Sequence, residues 1–106
     1  METYQVLDAL GDRTRRSILE LLREGPVTVG ELAARLPVSR PAVSQHLRVL
    51  QESGLVAHET VGTRNFYRVD SRGLTVLRDW LDDFWGTALE SFAAFADKES
   101  SDGTAD

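Results

Sequence analysis

The chain has 106 residues, no cysteine and a formal net charge of −5 at neutral pH. This length suits one compact domain, and the lack of cysteine excludes disulfides and thiolate metal sites. The first nine residues do not resemble a signal peptide, and no apolar run approaches the roughly 20 residues of a membrane span. We therefore expect a cytoplasmic protein without a membrane partner.

The acidic charge is concentrated near the end of the chain. Residues 70–106 carry nine acidic against three basic residues (−6), residues 37–69 carry two against four (+2), and residues 1–36 carry six against five (−1). Salt limits the reach of each charge to about 8–10 Å. The middle of the chain can therefore form a basic surface that binds nucleic acid, although the net charge is negative.

Three short helices are predicted in the first third of the chain. Thr3–Leu10 places Tyr4 and Leu7 on one apolar side. Arg13–Arg23 follows, with Asp12 as its N-cap. A third helix is predicted over Val29–Leu36, where Thr28 and Glu31 have the spacing of a capping box.

A fourth helix is predicted from the stretch "SRPAVSQHLRVL" to about Ser53. Ser39 suits the N-cap, and Pro41 suits a first turn where an amide has no helical partner. Because only a tight turn separates this helix from the third, the two form a helix-turn-helix unit. Val43, Leu47 and Leu50 recur at the spacing of a buried face, and the opposite face carries Arg40, Ser44, Gln45 and Arg48.

A β-hairpin is predicted after this unit, from strands at Leu55–Thr60 and Asn65–Val69 that are rich in β-branched and aromatic residues. The Val61–Arg64 segment is expected to project from it as a loop. The predicted fold is mainly α with a small β-hairpin, a winged helix-turn-helix in the order α1-α2-α3-α4-β-hairpin-α5.

Such a domain inserts the second helix of the pair into the DNA major groove. Arg40 can pair with a guanine edge and Gln45 with an adenine edge, and the short Ser44 permits a close approach. Arg48 is expected to meet phosphate. Arg64 in the hairpin, with Arg68 as a further candidate, can reach the DNA backbone or an adjacent minor groove. The alternative is that this polar surface is an ordinary solvated helix face.

The amides at the starts of two helices are further candidates for contacts with the DNA backbone. Thr28 and Ser39 mark these starts, where free amides suit phosphate oxygens. We therefore include both residues in the predicted DNA-binding set.

The last helix is predicted from Ser71 to about Lys98 and is longer than a small domain can cover. Its uncovered apolar residues predict a homodimer, and the alternative is one chain folded back or kinked at Gly86. The predicted dimer interface is Tyr4, Leu7, Leu77, Leu81, Phe84, Trp85, Ala88 and Phe92. Residues 1–98 then form the domain with its dimerisation helices, and residues 99–106 form a disordered tail.

The motifs "D-x-TRR-x-IL-x-LL", "V-x-ELA", "S-x-PAVSQHL-x-VL-x-x-GLV" and "G-x-x-x-x-YR-x-D" together resemble the ArsR-type (ArsR/SmtB) repressors from about Val6 to Asp70. The resemblance implies a dimeric bacterial transcription factor, usually a repressor that a signal releases from its operator. It places the base-reading positions at Arg40, Pro41, Ser44 and Gln45, with Ser39 nearby. Pro41 would contribute shape or apolar contact.

Family members that sense metals carry thiolates on the third helix or Asp and His ligands on the last. Here the third helix has no cysteine and the last has no histidine, which resembles the metal-independent members. An Asp79/Asp83 pair alone would hold a hard cation weakly. We predict no metal site and no cofactor.

The two histidines are expected to have structural roles. His46 is expected to be a hydrogen-bonded packing residue and His58 a surface residue, although a DNA contact by His46 remains open. Neither histidine has a nucleophile or a second metal ligand at the sequence spacing typical of a catalytic or metal site, so we do not expect an enzyme.

The leading hypothesis is therefore a homodimeric repressor that binds an inverted-repeat operator in double-stranded DNA. One alternative is a winged-helix protein-interaction module that does not bind DNA. Another is a sensor in which a small apolar inducer lodges between Trp80, Phe84, Trp85 and Phe92.

Overall fold

The computed structural model describes residues 2–105, with the side chains of residues 2–100. It confirms the predicted order of helices and hairpin and adds one short strand. The elements are α1 (Thr3–Ala9), α2 (Arg13–Leu22), β1 (Val27–Thr28), α3 (Val29–Arg35), α4 (Arg40–Glu52), β2 (Val56–Val61), β3 (Arg64–Val69) and α5 (Ser71–Ala105).

The predicted N-caps all form. Each cap side chain accepts a hydrogen bond from an amide three residues on, which otherwise has no partner within the helix. The bonds run from Arg15 N to Asp12 Oδ1 at 3.0 Å, from Glu31 N to Thr28 Oγ1 at 3.3 Å and from Ala42 N to Ser39 Oγ at 3.3 Å. Glu2 caps α1 in the same way, which the sequence pattern did not suggest.

The core lies between the helix-turn-helix pair, α1, α2 and the sheet. Val43, Leu47 and Leu50 of α4 are at most 1% exposed, as predicted. Burial of each such side chain stabilises the fold by about 1.5–3 kcal/mol. The other buried apolar residues are Val6, Ala9, Ile18, Leu22, Val27, Leu32, Leu55 and Val56.

The hairpin is part of a three-stranded antiparallel sheet in the order β1-β3-β2. Strand β1 is only two residues long and pairs Val27 with Tyr67 and Thr28 with Phe66. Because α3 begins directly after Thr28, this pairing fixes the start of α3 against the hairpin.

The prediction that Val61–Arg64 forms a projecting loop is wrong. Val61 and Arg64 are paired strand residues, and the turn consists of Gly62 and Thr63 alone. Gly62 adopts φ +64°, which the first position of a tight hairpin turn requires and glycine provides without strain. The wing is therefore a short, fully paired hairpin.

Helix α5 is continuous through Gly86 and extends beyond the predicted end at Lys98 to Ala105. Its 35 residues correspond to about 52 Å of helix, and the molecule has a longest extent of 74 Å. The disorder predicted for residues 99–106 stays a prediction, because side chains beyond Ser100 and all of residue 106 lie outside the described part. Within residues 2–105, no helix is long and apolar enough to span a membrane.

The start of α5 is fixed by Asp70 and Gly73. The Asp70 carboxylate accepts hydrogen bonds from the Arg72 amide at 3.0 Å and from its guanidinium at 2.6 and 2.9 Å. A Cβ at Gly73 would stand 2.8 Å from the carbonyl oxygens of Ser53 and Gly54, so only glycine allows this close approach. The long helix is thereby fixed to the end of α4.

Replacing Asp70 tests this attachment. Asp70→Ala should lower the free energy of unfolding by about 1–2 kcal/mol, because the helix start loses its cap and its ion pair. Asp70→Asn should cost less, since an amide oxygen can still accept from the Arg72 amide. Urea denaturation measures both changes, and equal losses would contradict a separate contribution from the charge.

The same pair predicts a pH dependence. The Arg72 hydrogen bonds hold the pKa of Asp70 below its ordinary value of about 3.9, so the ionised carboxylate stabilises the fold. This stabilisation is complete above the unfolded pKa and is lost as the pH falls through the lowered folded pKa. The stability difference between the wild type and Asp70→Asn should therefore be full at neutral pH and shrink in acid. A difference that did not change with pH would contradict it.

Candidate nucleic-acid interface

The polar side of α4 is a continuous exposed surface. We define the reading face as Arg40, Pro41, Ser44, Gln45 and Arg48, all of which are exposed. It lies outward because the opposite side of the same helix is buried in the core. The structure thus brings together the five α4 residues that the sequence analysis placed on DNA.

A cleft of about 510 Å³ lies between the start of α3, the start of α4 and the hairpin turn. We call it the wing cleft. The pairing of β1 with β3 holds two of its walls together. Its lining residues are Thr28, Val29, Gly30, Glu31, Ala34, Arg40, Thr63, Arg64 and Asn65.

The two arginines of the wing cleft differ from those nearby. Arg48 is paired with Glu52 at 3.4 Å, and Arg68 with Glu59 at 3.8 Å. The side chains of Arg40 and Arg64 make no hydrogen bond or ion pair with any residue in the described part of the chain. They are therefore unneutralised cations on one concave surface, which suits a polyanion.

The N-cap hydroxyls near this surface already take part in hydrogen bonds. Thr28 and Ser39 each accept a hydrogen bond from a backbone amide of their own helix. Glu31 is among the residues that line the wing cleft. Thr28 is half-buried and Ser39 is exposed. A phosphate at the start of α3 would therefore meet one acidic side chain as well as the arginines.

His46 links α4 to α2. Its Nδ1 lies 3.4 Å from Arg15 Nη1 and 3.9 Å from Asp12 Oδ1, and its side chain is only 22% exposed. Arg15 also donates to the carbonyl of Ala9 at 2.6 Å. The hydrogen bond from the Arg15 amide, supported by the charges of His46 and Arg15, holds the pKa of Asp12 below its ordinary value. These contacts agree with the packing role predicted for His46, which stays a prediction.

His58 is exposed on the hairpin, as predicted. Its ring lies 5.2 Å from the Tyr67 ring between centroids, and Gln51 hydrogen-bonds its Nδ1. In the described part of the chain, no three His, Asp or Glu side chains are grouped closely enough to hold a metal ion.

The aromatic residues of α5 do not form one pocket. Trp80 and Phe84 stack at 5.5 Å and, with Asp83, Thr87 and Ala88, line a shallow groove of about 340 Å³. Trp85 and Phe92 do not line it: Trp85 lies about 100° around the helix from Phe84, and Phe92 lies about two turns further along the helix. Of the four aromatic side chains predicted to surround a small apolar inducer, only Trp80 and Phe84 therefore line the groove.

The residues predicted for the dimer interface fall into two groups. Leu77 packs against the core of its own chain, and Leu7 and Ala88 are half-buried. The others are exposed: Tyr4, Leu81, Phe84, Trp85 and Phe92. Leu89 of α5, which is not in the predicted interface set, is exposed as well.

Comparison with known proteins identifies the same segment. Residues 12–58 match the family model described as bacterial regulatory protein, arsR family. These residues run from the cap of α2 into β2 and contain the whole reading face.

Individual relatives match over most of the chain. HTH-type transcriptional regulator Rv2034 of Mycobacterium tuberculosis is 52% identical over an alignment of 106 positions. This alignment covers 96% of this chain and 99% of that protein. The transcriptional repressor SdpR of Bacillus subtilis is 34% identical over 74% of this chain and 88% of its own length. A solved ArsR-like transcriptional regulator from a Rhodococcus species superimposes with a TM-score of 0.82 at 35% identity, covering 92% of this chain and 90% of that one.

Replacing His46 separates packing from recognition. His46→Ala should lower the free energy of unfolding by about 1 kcal/mol, because the contact with Arg15 and the half-buried ring are lost. The ratio of affinities for specific and random duplexes should not change. Thermal melting and fluorescence anisotropy measure the two effects, and a changed ratio with unchanged stability would identify His46 as a DNA contact.

Proposed function

This chain belongs to the arsR family of bacterial transcriptional regulators, and from that membership we propose that it is a homodimeric repressor of an inverted-repeat operator. Its relatives are regulators and not enzymes. The observation that supports the proposal most directly is the exposed reading face, whose Arg40 lines the wing cleft together with Arg64. The side chains of both arginines have no partner among the described residues. Such a protein works in the cytoplasm, where bacterial DNA is found.

We propose that α4 reads bases from the major groove. Gln45 offers a bidentate amide for adenine and Arg40 a bidentate guanidinium for guanine. Ser44 is small enough to let the helix approach, and Pro41 presents an apolar surface to the groove wall.

Backbone contacts would fix the position of the helix. Arg64 projects from the wing, and Arg48 would leave Glu52 for a phosphate, since an exposed i, i+4 pair contributes only about 0.3–0.5 kcal/mol. Thr28 and Ser39 would lie beside the phosphates that flank the groove. These contacts add affinity for any sequence and make binding salt-dependent.

A second copy would cover the exposed side of α5. Trp85 and Phe92 are 63% and 68% exposed, and with the exposed Leu81 they recur at helical spacing on one side of α5. Exposed apolar side chains grouped in this way mark a protein interface. A two-fold dimer would present two reading faces to successive major grooves, about 34 Å apart.

We propose that the regulator does not sense a metal. The chain has no cysteine, and α5 has no histidine. If a small apolar inducer acts on this protein, the Trp80–Phe84 groove is the concave surface on α5 that it would occupy.

Two arginine variants test whether Arg40 contacts bases and Arg64 contacts the DNA backbone. Arg40→Ala should weaken binding to the operator by about 1–3 kcal/mol and relax the preference at one base position. Arg64→Ala should weaken binding to all duplexes alike and reduce the slope of log Kd against log salt by about one. Fluorescence anisotropy measures both effects over a salt series. The two probes are a duplex from the region upstream of the protein's own gene, called the upstream duplex, and a duplex of random sequence.

The outcomes are distinct. Equal losses on both duplexes for Arg40→Ala would reject its base-reading role. Flat, salt-independent or absent binding by the wild type would reject the DNA-binding proposal and favour a protein-interaction module.

A charge on α5 tests the dimer. Phe92→Glu should shift the protein from dimer to monomer in sedimentation equilibrium, because a carboxylate would be buried in an apolar interface. Val61→Glu is the matched control, since Val61 is 63% exposed but lies on the wing. It should remain dimeric. A monomeric wild type, or equal dissociation of both variants, would contradict the proposed interface.

A further inference from the structure

Gly30 lies under the Arg40 side chain. It is the second residue of α3 and lines the wing cleft. A Cβ built at Gly30 would stand 3.8 Å from Arg40 Nη1 and 3.9 Å from both Nη2 and the guanidinium carbon. The guanidinium of Arg40 therefore lies over residue 30 of α3, at ordinary contact distance from the position that a Cβ would take.

The backbone at Gly30 does not require glycine. The glycines with positive φ are Gly25, Gly54 and Gly62 among the described residues, whereas Gly30 is helical. Glycine within a helix lowers its stability relative to alanine or leucine. What glycine provides here is the absence of a side chain beneath Arg40.

The space over residue 30 matters for the position of the Arg40 side chain. That side chain makes no hydrogen bond or ion pair with another described residue, so the room left by glycine is what admits its guanidinium to the wing cleft. A side chain that is already ordered loses less entropy on binding than a freely rotating one.

We propose that Gly30 is a positioning residue for DNA recognition: it leaves the space that seats the Arg40 guanidinium in the wing cleft. This rests on the proposed function, because the seated guanidinium contributes only if the reading face meets DNA. A methyl group at residue 30 fits at ordinary contact distance. A longer side chain occupies the place of the guanidinium and turns Arg40 toward solvent.

The test is a double-mutant cycle with two sizes of side chain at residue 30. Gly30→Ala and Gly30→Leu are each made in the wild-type and Arg40→Ala backgrounds, and Kd for the upstream duplex is measured by anisotropy. Both replacements favour helix, so α3 should keep or gain stability, which thermal melting checks.

The expected result is that Gly30→Leu weakens binding by about 3- to 10-fold in the wild-type background, as expected when one arginine is displaced from the wing cleft. Gly30→Ala should leave Kd unchanged. In the Arg40→Ala background, Gly30→Leu should have no further effect, which a purely structural role of Gly30 would not produce.

Equal weakening by Gly30→Leu in both backgrounds would overturn the proposal, as would no weakening in the wild-type background. Either result leaves the DNA-binding function standing if the wild type binds the duplex. A wild type that binds no duplex rejects the proposed function, and the positioning role of Gly30 with it.

Discussion

The burial of one side of α4 is the constraint on which the candidate interface depends. Val43, Leu47 and Leu50 contact the core, so rotation of the helix about its axis would expose them at a cost of several kcal/mol in total. With 3.6 residues per turn, fixing these positions also fixes the direction of the reading face. The contact of His46 with Arg15 adds a polar restraint on the same helix.

The short strand β1 connects this helix pair to the wing. Thr28 is at once a strand residue paired with Phe66, the cap of α3 and part of the wing cleft. Through that pairing, Arg64 on the wing and Arg40 on α4 line one concave surface. Two cations separated by 24 positions in the chain are thereby brought to a surface where a DNA strand can meet both.

Charge and apolar surface are divided between two parts of the chain. The acidic residues that make the net charge negative lie mostly on α5, whereas Arg40 and Arg64 lie at the wing cleft. Because screening limits each charge to about 8–10 Å, the two regions act separately. The exposed apolar arc of α5 extends well past the small domain, which is the physical reason to expect a second copy.

The sequence alone determined the helix starts, the helix-turn-helix pair and the buried side of α4, because caps such as Ser39 and the helical spacing of Val43, Leu47 and Leu50 are local signals. Those signals also identified the residues of the reading face. Tertiary structure alone decided the pairing of β1, the inward packing of Leu77 and the position of the Arg40 guanidinium over Gly30. Each of these features brings together residues that are far apart in the chain. A two-residue strand or a single glycine has no periodic side-chain pattern, so the sequence does not indicate which distant residues will lie beside it.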